Sequence, residues 1–208
     1  MAVGTLAVGM IFIGGTFLVG IYFSTIATER TIAAVAADEA FAKIKIFRVN
    51  LNDPNFTVTN QQARFKGVVW NKNNFDPNEF AYPSIKILAE SRYCWSALCR
   101  RIDLNPSDRR VQVTVFVCRR VGVSARYRNP TDPFEPVIAL YRPVPLQVEV
   151  SANPGLPEVL TINVFDERVF INDGYTIVEN STGDIYRVLK RNADQPDTVL
   201  LDKPWDPD

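Results

Sequence analysis

Hydrophobic positions along this chain change their period twice. From Met1 to Thr28 there is no charged side chain, and apolar residues lie on every side of the helix axis. From Glu29 to about Arg48, Ala33, Ala37, Phe41, Ile44 and Phe47 fall close to one face at helical spacing. After Pro54 the apolar residues alternate in short runs bounded by Asn, Asp, Gly and Pro, which reads as strands. The predicted class is α+β: a long N-terminal helix, half transmembrane and half amphipathic, followed by a β-rich globular region of antiparallel strands.

Helical geometry gives the first stretch its meaning. Its 28 residues, at about 1.5 Å each, reach about 42 Å, against roughly 30 Å of bilayer hydrocarbon. No proline precedes Pro54, so nothing forces the helix to stop earlier. Five of the ten glycines fall here, a content that a helix in lipid tolerates better than one in water. Thr16, Gly20, Ser24 and Thr28, four residues apart, stack in one shallow row. Such a row suits either a lone anchor or a surface for helix–helix assembly, since small residues let a second helix approach. Glu39 and Lys43 stand in the favourable order for an i,i+4 pair, and Asn50, Asn52, Asp53 and Pro54 supply an exit. A cleaved signal peptide fits poorly, because no basic segment leads and the apolar run is too long.

Beyond the helix, Phe56–Val58, Arg64–Trp70 and Ser84–Leu88 read as short strands, and 71–80 as a polar loop. Cys94–Arg100 reads as a single helical turn. Arg109–Val117 is the clearest strand, with Val111, Val113, Val115 and Val117 on one face. Residues 129–157 hold seven of the fourteen prolines, which places a boundary there, with Val137–Tyr141 and Leu146–Val150 as edge strands. A meander follows: Val159–Phe165, Arg168–Ile171, Tyr175–Glu179, Asp184–Lys190 and Thr198–Leu201. Its turns are Asp166-Glu167, Asn172-Asp173-Gly174 and Asn180 to Gly183, and Trp205 packs against it. Three parts are expected: the helix at 1–50, a β-rich head at 51–145 and a C-terminal meander at 146–208.

Composition narrows the chemistry. Charge balances at 23 against 23, so no nucleic-acid partner is indicated. Histidine is absent, which removes the commonest general base and metal ligand. Cys94, Cys99 and Cys118 allow one bridge and a spare thiol. Cys94 with Cys99 is a possible disulfide, though spacing does not decide the connectivity. Three arginine pairs, Arg100-Arg101, Arg109-Arg110 and Arg119-Arg120, read as a solvated edge in preference to an anion site. No phosphate loop, nucleophile elbow or paired His and Glu occurs. The reading is of no enzyme, no cofactor, no metal and no evident small-molecule substrate.

The order of an uncharged helix, an amphipathic extension and a β-rich part resembles the type IV pilin-like proteins: pilins, minor pilins and the pseudopilins of type II secretion. The closest local likeness is Glu29 to Glu39, where a charged residue and a threonine precede an alanine-rich turn ending in an acidic residue. It covers about the first 48 residues. The family's precursors carry a basic leader cut before a phenylalanine-like residue, with a glutamate soon after. Matching the threonine segments puts the start of this chain about two turns inside the family's helix. The resemblance implies a filament subunit anchored by a single pass in a bacterial inner membrane. Its β-rich part would lie outside and its helix would pack on other pilin-like subunits. Arg30, Lys43, Lys45 and Arg48 follow the span with no basic residue before it, which by charge alone would turn the β-rich part inward. The family orientation is the one adopted.

Two functions follow as expectations. The first is a structural subunit of a pilus or secretion filament, assembled through Thr16, Gly20, Ser24 and Thr28, with Ala33, Ala37, Phe41, Ile44 and Phe47 packing the helix onto the head. The alternative is a single-pass, membrane-anchored extracytoplasmic binding module.

Overall fold

A computed structural model of the 208-residue chain describes residues 2–50, 66–67, 76–102, 109–122, 125, 127, 142–153 and 155–206. One helix, α1 (Ala2–Phe47), is followed by antiparallel sheet. Its 46 residues extend about 69 Å at the usual rise. The helix stops at Phe47, three residues before the Asn50 to Pro54 exit. Arg48 turns into the left-handed region at φ 57, and its N–H closes the last turn on Ile44 O at 3.0 Å. Among the described residues no helix is long and apolar enough to cross a membrane. The transmembrane half expected from the uncharged run is not found among the described residues.

The first sheet is built around one strand. After β1 (Lys66–Gly67) and β2 (Ala81–Tyr82) comes β3 (Tyr93–Arg101), then β4 (Val111–Arg119). Along one edge β3 pairs with β1 and β2 in tandem, and along the other with β4 over its full length. Cys94–Arg100 is therefore strand, not helical turn. Both of its faces are buried, and that burial hides the two-residue period a half-exposed strand would display. Ser84–Leu88 is not a strand either. It is a run of bends and turns after the cis Tyr82–Pro83 bond, with Leu88 in the core. The 71–80 loop ends in a 3₁₀ turn, Pro77–Phe80, capped by the Asp76 carboxylate, and Phe80 is buried against Trp95. Arg109–Val117 is a strand shifted by two residues. Phe56–Val58, Val137–Tyr141 and most of Arg64–Trp70 lie outside the described residues.

The C-terminal sheet has β5 (Val150–Asn153), β6 (Leu156–Ile162), β7 (Thr176–Val178), β8 (Ile185–Arg191) and β9 (Thr198–Leu201) in the order β5-β6-β9-β8-β7. Leu160, Ile162, Tyr186, Val188, Val199 and Leu201 form its core. Trp205 stacks on Tyr186 with ring centroids 4.7 Å apart, as its position near the end of the chain suggests. The Leu146–Val150 strand starts late, because laddering begins only at Val150. Arg168–Ile171 is not a strand: Phe165–Phe170 forms a 3₁₀ turn that delivers Ile171 to the core. Gly174 and Gly183 take φ of 80° and 83° in the two turns read from sequence.

The turn before β8 meets the first sheet. Arg100 on β3 donates to Gln112 Oε1 at 2.8 Å and to the carbonyl of Thr182 at 2.5 Å. A Cβ on Gly183 would collide with the Gln112 side-chain amide. Glu179, itself buried, accepts hydrogen bonds from Ser181 N–H and Oγ at 2.7 and 2.8 Å and from Thr182 N–H. Burial pushes its carboxyl up, but the bonds from Thr182 and Ser181 outweigh it and hold the group below its ordinary 4.5.

Two outcomes follow from this turn. Gly183→Ala forces a side chain into a left-handed residue and against Gln112, so it should cost about 1–2 kcal/mol and quicken amide exchange in β7 and β8. Unchanged exchange there would refute the contact. The folded pKa of Glu179 lies below its unfolded one, so its contribution is fully present above about pH 4.5 and is lost as pH falls through the folded value. Glu179→Gln should flatten that acid limb of a stability-against-pH curve while leaving other acid-sensitive steps in place.

Candidate functional site

What α1 offers to other molecules depends on which of its faces the head already covers. Ala36 and Ala40 are wholly buried, and Lys43 and Ile44 nearly so. Ile26, Glu29, Ala33, Ala37 and Phe47 are half-buried along the same stripe. Steps of three and four residues put this stripe on one side of the helix. It lies on β3 and β4, where Val113, Val115 and Val117 pack against the same core as Trp95 and Ala97. Of the five residues expected to pack the helix onto the head, Ile44 lies in the core shared with Trp95, and Ala33, Ala37 and Phe47 are half-buried. Phe41 is 39% exposed, one residue and about 100° around the helix from the wholly buried Ala40.

The joint is held by polar contacts that the apolar pattern did not reveal. Lys43 Nζ lies 3.2 Å from Glu39 Oε1 and 3.0 Å from Glu79 Oε2, and donates to Glu79 O at 2.6 Å. Trp95 Nε1 donates to that carbonyl too, at 3.1 Å. Ser84 Oγ donates to Glu39, and Arg119 pairs with Glu29, nearly three turns up the helix from Glu39. The Glu39–Lys43 spacing was legible as a surface pair. What sequence could not show is that Glu79, from a distant loop, completes the pair and buries the ammonium.

The arginine pairs are a solvated edge only in part: Arg109, Arg110 and Arg119 are exposed, whereas Arg100 and Arg101 are half-buried and Arg120 is buried. Arg100 joins the two sheets, as above, and Arg119 meets the helix. Arg120 is 3% exposed and holds the carbonyls of Leu88, Ala89 and Ser91 at 2.6, 2.8 and 3.1 Å. Arg120 thus fixes backbone that the 84–91 bends leave without a ladder partner.

On the opposite face of β3 lies a second group that the sequence did not single out. Arg142 stacks over the Phe80 ring at 3.6 Å, donates to Ser96 Oγ, and lies close to Cys94 and Cys118. Ser96 Oγ in turn donates to Pro143 O at 2.6 Å. Burial pulls the guanidinium down to about 10. The bridge considered between Cys94 and Cys99 does not fit. The two sit five residues apart on one strand, point to opposite faces, and are separated by roughly 16 Å of extended backbone.

Thr16, Gly20, Ser24 and Thr28 lie on α1 above the joint, and all four are exposed. Thr16, Phe17, Gly20, Ile21, Ser24 and Thr25 line a shallow open groove along the helix. Nothing lies within 4 Å of where a Gly20 Cβ would stand. The hydroxyls of Thr25 and Thr28 are turned inward, donating to Ile21 O at 2.9 Å and Ser24 O at 2.8 Å. Their polar hydrogens are thus satisfied along the helix, and of these two only Thr25 lines the groove. Among the described residues no cluster of three or more His, Cys, Asp or Glu is placed to hold a metal ion. No protein-family model matches the chain, and neither does any curated protein or solved structure.

The joint can be tested directly. Lys43→Met keeps the aliphatic stem but strips Glu79 of its cation, so it should cost about 2 kcal/mol, read by Trp95 fluorescence on thermal unfolding. Glu29→Ala, which breaks only the exposed pair with Arg119, should cost less than about 1 kcal/mol. Equal effects would mean that Lys43 is not the fastening group.

Proposed function

We propose that this chain is a structural subunit of a pilin-like filament, of the minor pilin or pseudopilin kind. The single observation that carries the proposal is a division of labour along α1. Its second half is seated on the chain's own sheet through Ala36, Ala40, Lys43 and Ile44. Above Ile26 the described side chains are exposed, including Phe17, Leu18, Val19, Ile21, Tyr22 and Phe23. That many large apolar groups side by side are costly in water. They call for lipid, for other helices, or for both in turn.

In this proposal the uncharged run from Met1 to Thr28 is the membrane-held part before assembly, and the β-rich part lies on the extracytoplasmic side. On assembly the groove around Gly20 receives the helix of another pilin-like subunit. Contact there is by close packing of small residues, with the Thr25 hydroxyl hydrogen already used within the helix. No catalysis or cofactor enters the proposal.

Gly20→Leu tests it. The leucine has free space within the subunit, so the head should fold normally and membrane association should resist carbonate extraction as before. Photocrosslinking from position 21 to a partner helix should fall at least about tenfold, equivalent to about 1.4 kcal/mol. Crosslinking of undiminished yield, or crosslinks to lipid alone in the unmodified protein, would remove the filament reading and leave an anchored binding module.

A further inference from the structure

We propose that Cys94 and Cys118 form a disulfide that staples β3 to β4. Register carries the assignment: Cys94 stands directly opposite Cys118 in the ladder. Arg120 N–H donates to Arg92 O at 2.8 Å. By alternation, Cys94 and Cys118 therefore form a hydrogen-bonded pair, whose Cα atoms lie about 5.5 Å apart. A disulfide spans roughly 4.4–6.8 Å between Cα atoms and about 3.5–4.5 Å between Cβ atoms, so the Cβ atoms of this facing pair, about 4.5–5.5 Å apart, draw together as the bond closes. The Cys94 side chain is already turned across the ladder, its Sγ donating to Cys118 O at 3.7 Å. Cys99 lies opposite Lys66 and Val113 and has no such partner thiol in the ladder.

The surroundings assign an order to the two thiols. Cys94 is wholly buried, whereas Cys118 is only half-buried, so an incoming reagent reaches Cys118 first. Burial raises both thiols, Cys94 to about 12, and the Arg142 guanidinium opposes that rise at each. Among the described residues no carboxylate neutralises Arg142. Its charge is therefore available to a thiolate formed beside it.

The oxidant is a small-molecule or protein disulfide. Cys118 loses its proton to solvent and attacks one sulfur of that disulfide, expelling the other as a thiolate that takes up a proton. Cys94 then loses its proton and attacks Cys118 Sγ, releasing the second thiol. The two cysteines give up two electrons and two protons, and the donor disulfide becomes two thiols. The product locks the sheet onto which α1 is docked, and it does not depend on the filament reading.

The test uses the full-length protein, folded in detergent, with oxidised glutathione as the probe. Two of the three thiols should become unreactive to maleimide after denaturation, with a mass loss of two hydrogens. Chymotryptic cleavage after Trp95 separates Cys94 from Cys99, and the linked peptides should carry Cys94 and Cys118. The bridge should persist in Cys99→Ala and be absent in Cys118→Ser. Three free thiols, a glutathione adduct on Cys118 that never closes, or a bridge containing Cys99 would each overturn the proposal, and all three are read on the unmodified chain.

Discussion

The close seating of α1 on the β3–β4 sheet is the constraint on which the rest of this structure depends. Ala40 is small enough to let the helix backbone approach the valines of β4 and the indole of Trp95, and Ala36, one turn earlier, is likewise wholly buried. A larger residue at either place would lift the helix from the sheet. The approach comes with a buried ammonium, since Lys43 falls on the same stripe. An unpaired buried cation is among the most unfavourable things a fold can hold. Glu39, Glu79 and a loop carbonyl together make it tolerable, and they do so only when the 76–80 segment is folded against the helix. Apolar contact and charge pairing thus require one another at this joint.

From that joint the order spreads outward through β3. Its helix-facing residues serve the first core. Its other face is covered by Arg142, Pro143 and the Thr182–Gly183 turn of the C-terminal meander. A strand covered on both sides is well protected, and here it links the helix, the head and the meander in one chain of contacts. The two sheets keep separate apolar cores. Their union at Arg100, Gln112 and Thr182 is polar and small, so the meander is the part most able to open locally without disturbing the helix joint.

The exposed upper helix gives the molecule its functional asymmetry. A protein that buries one helical stripe in its own core and leaves Phe17, Leu18, Ile21 and Tyr22 uncovered has more apolar surface than it can satisfy alone. At Gly20 the backbone is bare at the floor of a groove, so a second helix can pack closely there. This is why the proposed function is placed on the helix and not on the sheets.

What the chain determined by itself is what local physics can determine. The absence of proline and of charge set one long N-terminal helix. Asparagine and glycine at 172–174 and 180–183 set two turns, and alternating valines set β4. The meander strands β6 to β9 followed from period two with bounded ends. The tertiary structure decided what depends on residues far apart in sequence. β3 was unreadable because burial on both faces erases alternation. Arg168–Ile171 failed because a 3₁₀ turn and a short strand place a single apolar residue in the core equally well. Phe41 sits at the margin of the buried stripe, because a helix of many alanines leaves the angle of that stripe to whatever it meets. The burial of Lys43, the internal engagements of Arg100 and Arg120, and the facing of Cys94 by Cys118 all depend on strand register and loop closure. No local run of residues encodes those, because each partner is supplied by a segment that only folding brings near.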